Sequence, residues 1–252
     1  MERLDIVYVL KESIEPAELI YSLRSVEANF PHRRVWFVGG HINGLYPDGA
    51  VYHVQRGKTK FERSHSSLRE IINCQDISDR FFLFNDDFFI LKPIDTAHFL
   101  NLTNGTLEKR IRVLTELKGD NDYNRGLAEM RVELLRKGYD AMSYSVHIPI
   151  LLDKAILKRV LDEFDTPMFR SVYGNVSGEP YGYHKDCKIS NLKSVPDDNW
   201  DYLSTTEKSF ALGEVGRYIR QKFPNPSRFE TNTKKHPSEL YTEEGDDSYG
   251  TI

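Results

Sequence analysis

The segment RFFLFNDDFFILKP, residues 80–93, is the most hydrophobic run of the chain. Eight of its fourteen residues are large and apolar, yet Asn85, Asp86 and Asp87 stand together in its middle. A short apolar run of this kind predicts a buried strand of a parallel sheet, which ends where the polar residues begin. A buried carboxylate that stays ionised and unpaired is costly. The two aspartates therefore need a partner at the end of this strand.

Strands and helices alternate along the first ninety residues. Apolar, β-branched stretches predict strands, and apolar residues at three- and four-residue spacing predict helices. The predicted strands are 4–10, 33–40, 50–55 and 80–84, and the predicted helices are 15–30 and 66–74. This order is typical of an α/β fold of the doubly wound, Rossmann-like kind, in which helices flank a mostly parallel sheet.

The chain changes character after this region. Residues 101–140 are charged and helix-prone with a polar break at KGDNDYN, which predicts two helices inserted over the sheet. They would either cover the acceptor side of a bound substrate or simply cover the sheet and complete the core. The sequence then predicts a strand-like segment at 140–152 and a helix at 153–164. A loop rich in Gly, Tyr and Ser follows at 169–186, and a last helix, broken by proline, lies within 213–230. We interpret 1–230 as one domain and 231–252 as a polar tail.

The composition favours a soluble protein. The 252 residues carry a net charge of −4, whereas a domain that binds nucleic acid usually has an excess of basic residues. No apolar run approaches the ~20 residues of a membrane span, and the first residues lack the pattern of a signal peptide. Cys74 and Cys187 are far apart, which favours reduced thiols and a cytoplasmic location.

The aspartates of the opening segment fit a divalent cation. In open α/β sheets, ligands bind at the carboxyl ends of the strands, which is where this pair is predicted to lie. Mg²⁺ and Mn²⁺ prefer oxygen ligands, and Mg²⁺ often takes one or two carboxylates together with phosphate oxygens. In an extended backbone, Asn85 and Asp87 face one way and Asp86 the other. One aspartate would then meet the metal, and the other would cap a turn or anchor a neighbour. We expect Asp87 to be the main metal ligand and a catalytic residue, with Asp86 as a further metal ligand and Asn85 as a donor contact. The alternative is a turn with both aspartates solvated.

Four segments, in this order, carry a resemblance to a known family: ELIYSLRSVEANFPHRRVWFVGG (18–40), FFLFNDDFF (81–89), VHIPILLDKAILKRVLDEF (146–164) and FPNPSRFE (223–230). Together they resemble the Stealth family, whose members transfer sugar 1-phosphates from nucleotide sugars. The first half is also similar to GT-A glycosyltransferases of phages and bacteria, in which an Asp-x-Asp-like motif binds a metal and the donor diphosphate. Stealth proteins have a Trp and an Asp-Gly-Ser-Asp motif where this chain reads VYVLKESIEP (7–16). Transfer of a sugar and transfer of a sugar 1-phosphate therefore both stay open.

The resemblance implies roles for three further residues. His147, before a proline in YSVHIPILLD, would be a catalytic base or a metal ligand, and its alternative is a core histidine. Arg170 would contact phosphate, and its alternative is a salt bridge to Glu163 or Asp165. His184 would be a late metal ligand, and its alternative is an ordinary loop histidine.

Four basic residues are candidates for donor binding. Arg24 lies on the first predicted helix beside apolar neighbours, where it would hold a phosphate or Asp86, and its alternative is a solvated arginine. The segment RGKTKFERSHSSLRE (56–70) is basic and precedes or opens a helix, a setting that suits phosphate. Its candidates are Lys60, Arg63 and Arg69.

These residues together predict a transferase that depends on Mg²⁺ or Mn²⁺ and uses a nucleoside-diphosphate sugar as donor. The first expectation is a GT-A-like glycosyltransferase acting in the cytoplasm, which would be a host cytoplasm if a phage encodes it. The acceptor, a glycan, a protein or a modified base, stays open. The alternatives are a Stealth-type sugar-1-phosphate transferase and a sugar- or nucleotide-binding module without turnover. A two-metal phosphoesterase would need more acidic and His ligands than the sequence groups together.

Overall fold

A computed structural model describes residues 3–11, 17–57, 60–164 and 168–230, without the side chains of residues 60 and 61. The predicted tail, 231–252, lies outside the described residues. The strands of the described part are β1 (Asp5–Leu10), β2 (Val35–Gly39), β3 (Gly49–Tyr52), β4 (Arg80–Phe84), β5 (Phe88–Ile90), β6 (Asn101–Thr103), β7 (Ile150–Asp153), β8 (Tyr181–Tyr183), β9 (Lys188–Ile189) and β10 (Tyr202–Thr205).

Helices connect these strands. They are α1 (Ala17–Asn29), α2 (Lys60–Asn73), α3 (Leu107–Lys118), α4 (Asp122–Arg136), α5 (Lys154–Glu163), α6 (Phe169–Ser177), α7 (Glu207–Leu212) and α8 (Glu214–Lys222), with short 3₁₀ turns at Thr96–His98 and Arg228–Glu230. Within the described ranges, no helix has both the length and the apolar character that crossing a membrane requires.

The main sheet has the strand order β3-β2-β1-β4-β7. The first four strands run parallel, and β7 joins the β4 edge antiparallel. The chain moves outward from β1 to β3 and then crosses back to place β4 on the other side of β1. This is the doubly wound arrangement, and the predicted fold class, a mostly parallel α/β sheet flanked by helices, is confirmed.

Alternation along the buried strands explains why helices cover both faces of this sheet. Tyr8 and Phe84 point to the face that α1 covers with its apolar side, which includes Leu23. Val7 and Leu83 point to the opposite face, where α2 and α5 pack. Strands β1, β2 and β4 are therefore buried on both sides, as their nearly continuous apolar sequence indicates.

The opening segment is two strands and a turn, not one strand. The backbone N–H of Phe88 donates to the carbonyl of Asn85 (3.3 Å), which closes a tight turn over the acidic pair. After this turn, β5 leaves the main sheet and joins a second sheet with the order β5-β10-β9, in which Phe89 pairs with Leu203. The turn therefore lies where two sheets separate.

The two inserted helices are present as predicted, at α3 and α4. Their inner faces belong to the same apolar cluster as the main sheet and the helices α2 and α5. The contributing residues are Leu107, Leu114, Leu127, Met130 and Leu134. The insertion therefore completes the core, and this packing does not support the expectation of a separate cover over the substrate.

Three segments differ from the sequence prediction. In the predicted strand 140–152, only its end is a strand, and β7 is antiparallel. The predicted loop 169–186 contains α6, because Val172 and Val176 bury one face of that segment in the core. The region 187–212, for which no elements were predicted, forms β9, β10 and α7.

Adjacent leucines of α4 test whether the insertion is part of the core. Leu134 is 0% exposed and Leu135 is 46% exposed. We expect Leu134→Ala to lower the free energy of unfolding by about 2–5 kcal/mol, because it leaves a cavity, and Leu135→Ala to change it by about 0.5 kcal/mol or less. Urea unfolding followed by circular dichroism measures both. Equal, small effects at the two positions would mean that the insertion packs independently of the sheet.

Candidate active site

A cleft of about 400 Å³ lies at the carboxyl ends of β1 and β4. It is lined by Val9 and Lys11 at the end of β1, and by Leu83, Asn85 and Asp86 at the end of β4. The connection after β1 leads toward β2, and the connection after β4 leads away from β2. The two connections therefore separate at this edge of the sheet. Ligands of doubly wound proteins bind at this reversal point, and the volume suits a small ligand.

Positive charge dominates the wall of this cleft. Among the described residues that line it, one is a carboxylate, Asp86, and four carry cationic side chains. The four are Lys11, Arg63, Arg110 and Arg170. An excess of this kind, in a concave site, attracts anions such as phosphates.

Asp86 faces the cleft. Burial and then the charge of Asp87 raise the pKa of its carboxyl group, and a backbone hydrogen bond and the charges of Lys11 and Lys188 offset this only in part. Among the described residues, no cation forms an ion pair with this carboxylate. Its position makes it available to a cation that arrives with a ligand.

Asp87 has a different environment, which corrects its assignment as the main metal ligand and as a catalytic residue. Its carboxylate is 8% exposed and accepts hydrogen bonds from Lys188 Nζ (2.8 Å) and Ser204 Oγ (2.9 Å). It does not line the cleft. The physical reason is the tight turn, which directs Asp87 towards β9 and β10, so that it joins the two sheets.

His147 lines the cleft and is held by a carboxylate that the sequence analysis did not identify. Its Nδ1 lies 2.8 Å from Oδ1 of Asp186. Nδ1 therefore carries the proton that is donated to Asp186, and Nε2 is the unprotonated nitrogen of the neutral ring. Burial by itself would raise the pKa of Asp186, but the hydrogen bond from His147 and the charge of Arg110 hold it below its usual value. This pair has the arrangement of a general base and its orienting carboxylate.

Arg170 lines the cleft from α6. One of its terminal nitrogens donates to the carbonyl of Ile148, and its guanidinium lies 5.7 Å from the ring centre of Phe88. Burial lowers the pKa of Arg170 to about 10, against the opposing effect of the Asp87 charge, so it remains a cation at neutral pH. Its buried Nε has no hydrogen-bond acceptor among the described residues. The alternative salt bridge to Glu163 is not among its contacts, and Asp165 lies outside the described residues.

The predictions that Arg24 and Arg69 bind the donor are corrected, because neither residue lines the cleft. The Arg24 guanidinium forms two hydrogen bonds with the carboxylate of Glu230, at 2.8 and 2.5 Å, and donates to the carbonyl of Phe223. It therefore fastens α1 to the Pro-Ser-Arg-Phe-Glu segment and does not hold Asp86. Arg69 joins α2 to α5 through Asp162 (2.9 Å).

The remaining candidates divide between the cleft and its surroundings. Arg63 of α2 lines the cleft, whereas the side chain of Lys60 lies outside the described residues. His184 does not line the cleft; its Nδ1 lies 2.5 Å from the carbonyl of Lys185, and its ring packs edge-on against Tyr202. Its expected role as a metal ligand therefore has no support from its position.

The cleft offers a divalent cation a small set of donors. Asp86 supplies a carboxylate, and Asn85 supplies an amide oxygen. Across the described ranges, no three His, Cys, Asp or Glu side chains are grouped to hold a metal ion. The set fits an ion that completes its coordination with phosphate oxygens and water, as Mg²⁺ commonly does, and does not form an independent protein cage.

Glu18 is an acidic neighbour of this region that the sequence analysis also missed. Its Oε1 accepts a hydrogen bond from the Thr205 hydroxyl (2.5 Å). Burial, and then the charges of Asp87 and Asp86, raise the pKa of Glu18 to about 7, although the hydrogen bond from Thr205 acts in the opposite direction. Its carboxyl group therefore keeps its proton to a higher pH than an exposed glutamate does.

No protein-family model matches this chain, and no curated protein matches its sequence. Among solved structures, it is similar to a complex of the galactosyltransferase LgtC with donor and acceptor sugar analogues, with a TM-score of 0.43, 10% identity, and coverage of 89% of this chain and 98% of that one. It is also similar to an active-site mutant of LgtC, with a TM-score of 0.41, 12% identity, and coverage of 94% of this chain and 81% of that one. Its similarity to the apo form of the glycosyltransferase GlyE of Streptococcus pneumoniae TIGR4 has a TM-score of 0.32 at 11% identity, with coverage of 56% of this chain and 44% of that one. Scores and identities this low do not establish a shared function, and none of these matches is to a Stealth protein.

The contacts of Asp87 predict a structural effect of its removal. We expect Asp87→Asn to lower the free energy of unfolding by about 2 kcal/mol, because it leaves the Lys188 ammonium without its counter-charge. Adding Lys188→Met should recover part of the loss. Glu214→Gln, which breaks the exposed pair with Arg217, is the control and should have little effect. If Asp87→Asn were as mild as this control in urea unfolding, Asp87 would not be an anchor between the sheets.

The raised pKa of Glu18 predicts a pH dependence of stability. Between its ordinary value of 4.5 and about 7, the folded state holds a proton that the unfolded state releases, so stability falls as the pH rises through this window. We expect Glu18→Gln to lose less stability than the wild type from about pH 5 to about pH 7.5. Glu116→Gln, on the exposed side of α3, is the control and should follow the wild type. Identical pH profiles for Glu18→Gln and the wild type would contradict the shift.

Proposed function

We propose that the protein is a nucleotide-sugar-dependent transferase, and that it transfers the sugar to a hydroxyl group of an acceptor. The observation that carries this proposal is the composition of one cleft, at the reversal point of a doubly wound sheet. The cleft combines cationic side chains, one available carboxylate, and a histidine oriented by an aspartate. A charged donor and a hydroxyl acceptor need these three functions in one place.

The donor diphosphate would lie among the cationic residues near the end of β1, with Lys11 and Arg63 offsetting its charge. Asp86 and Asn85 are the residues that would hold Mg²⁺ or Mn²⁺ against it. Such an ion, when bound, would neutralise charge that develops on the departing diphosphate. Lys11 and the arginines contribute to the same neutralisation directly.

His147 would accept the proton of the acceptor. Its Nε2 takes the proton from the acceptor hydroxyl as that oxygen bonds to the anomeric carbon of the sugar. The bond from the anomeric carbon to the phosphate oxygen breaks with its electron pair on that oxygen, and a nucleoside diphosphate leaves. Asp186 stabilises the imidazolium that forms and keeps the ring in its orientation.

The second candidate is transfer of the sugar 1-phosphate, as in the family that the sequence resembles. The observation that favours it is that Arg110 and Arg170 line the same cleft as His147. In this reaction the acceptor oxygen attacks phosphorus, and two guanidinium groups would stabilise the charge on the phosphoryl oxygens. The leaving group is then a nucleoside monophosphate.

The roles of His147 and Asp186 are tested by turnover of a panel of nucleotide sugars with Mn²⁺. We expect His147→Gln to lower the rate on the order of 10²-fold because it removes the base. Asp186→Asn should lower the rate on the order of 10-fold or more, because the ring loses its orienting carboxylate. The control is His98→Gln, since His98 also bonds an aspartate, Asp95, but on the exposed surface.

The products decide between the two reactions. Release of a nucleoside diphosphate supports sugar transfer, and release of a nucleoside monophosphate supports sugar-phosphate transfer. Binding of nucleotide sugars without consumption of any member of the panel would contradict the proposed activity and leave a binding module. Full activity of His147→Gln would remove the base from the mechanism.

A further inference from the structure

Arg110 stands on the inward face of α3. It lies three residues after Leu107 and four before Leu114, and both leucines are buried in the core. The neighbouring basic residues, Lys109 and Arg112, are exposed. An arginine at this position of an amphipathic helix interrupts an apolar face, and such a position needs a compensating anion.

Among the described residues, no anion lies at close range to Arg110. In the described part of the chain, the Arg110 guanidinium forms no ion pair with a carboxylate, and its buried Nε has no acceptor. Its charge acts on Asp186 only at longer range, where it is the weakest of the effects that lower the pKa of that carboxyl group. The buried Nε–H of a guanidinium is therefore held beside the cleft without a hydrogen-bond partner among the described residues.

Arg170 repeats the same features on another wall. It comes from α6, it lines the same cleft, and its Nε is also buried, with no acceptor in the part of the chain that the structure describes. The two guanidinium groups belong to elements that are distant in sequence, and His147 lines the cleft with them. Planar guanidinium forks recognise oxyanions through paired hydrogen bonds, and phosphate is an anion that they commonly bind.

We propose that Arg110 and Arg170 form an oxyanion subsite that binds a phosphoryl group next to the His147–Asp186 pair. The subsite assigns a role to the inserted helices, because Arg110 is the charged residue that α3 brings to the cleft. A role of this subsite in catalysis rests on the proposed function. Binding of the anion can be measured without any turnover. The phosphoryl group has two possible sources, the diphosphate of the donor or a phosphate carried by the acceptor.

Binding of inorganic phosphate tests the subsite directly. Calorimetric titration of the full chain with phosphate should give a saturable isotherm, and Arg110→Gln should weaken it at least about tenfold. Arg110→Lys, which keeps the charge but not the fork, should weaken it less. Arg112→Gln, on the exposed side of the same helix, is the matched control and should bind phosphate as the wild type does.

Thermal unfolding of each variant shows that it is folded before it is titrated. If Arg110→Gln does not fold, Arg110→Lys decides, since a weaker phosphate isotherm supports the subsite and an unchanged one overturns it. The proposal is also overturned if the wild type shows no saturable binding of phosphate, or if Arg110→Gln and Arg112→Gln bind it equally well.

A second titration identifies the source of the phosphoryl group. Phosphate is titrated into the wild type and into Arg110→Gln, each saturated with a nucleoside diphosphate and Mn²⁺. If the diphosphate abolishes binding of phosphate to the wild type, the subsite belongs to the donor. If phosphate still binds the wild type and binds Arg110→Gln more weakly, the subsite belongs to a phosphorylated acceptor. Both results support the subsite, and both are independent of whether any nucleotide sugar is consumed.

Discussion

The parallel pairing of β1 with β4 is the constraint on which the rest of the site depends. Its register, with Tyr8 opposite Phe84, brings the ends of two strands that are distant in sequence to one edge of the sheet. Because β2 and β3 lie on the other side of β1, the connections after β1 and β4 leave in opposite directions and a cleft remains between them. Lys11, Asn85 and Asp86 line this cleft because they follow directly from those two strands. The cleft residues are thus positioned by the burial of apolar strands whose own side chains take no part in the proposed reaction.

A second constraint comes from three consecutive residues that hold the site from the other side. Asp186 orients His147, Cys187 contacts the His147 carbonyl through its thiol, and Lys188 pairs with Asp87. In the segment that leads into β9, the chain therefore contacts both the base and the acidic turn. Burial raises the pKa of the Cys187 thiol to about 12, so this cysteine is protonated and packs as a small apolar group. The two acidic residues of the turn have separate functions as a result, since Asp87 is held by Lys188 while Asp86 faces the cleft.

Much of the fold could be predicted from the sequence, because strands β1, β2 and β4 and helices α1, α3, α4 and α5 are marked by local apolar patterns. The location of the site at the carboxyl edge of the sheet could be predicted, because the acidic pair follows directly after a buried strand. Separate roles for the two aspartates were predicted, but Asp87 was expected at the metal, because an extended backbone was assumed where a tight turn forms. Asp186 and Arg110 were missed for another reason. The contact of Asp186 with His147 spans 39 residues, and no local pattern records it. Arg110 did leave a signal, as an arginine between the inward leucines of an amphipathic helix, and the charged composition of that helix concealed it.

The most direct measurement is a crystal structure of the protein soaked with Mn²⁺ and a nucleoside diphosphate. We expect diphosphate density between the ends of β1 and β4, within reach of Lys11 and of at least one cleft arginine, with Mn²⁺ bound to the Asp86 carboxylate. Asp87 should keep its contacts with Lys188 and Ser204 when the ligand is bound. A nucleotide bound elsewhere on the protein, or a metal bound by Asp87 after release of Lys188, would show that the site has been assigned wrongly.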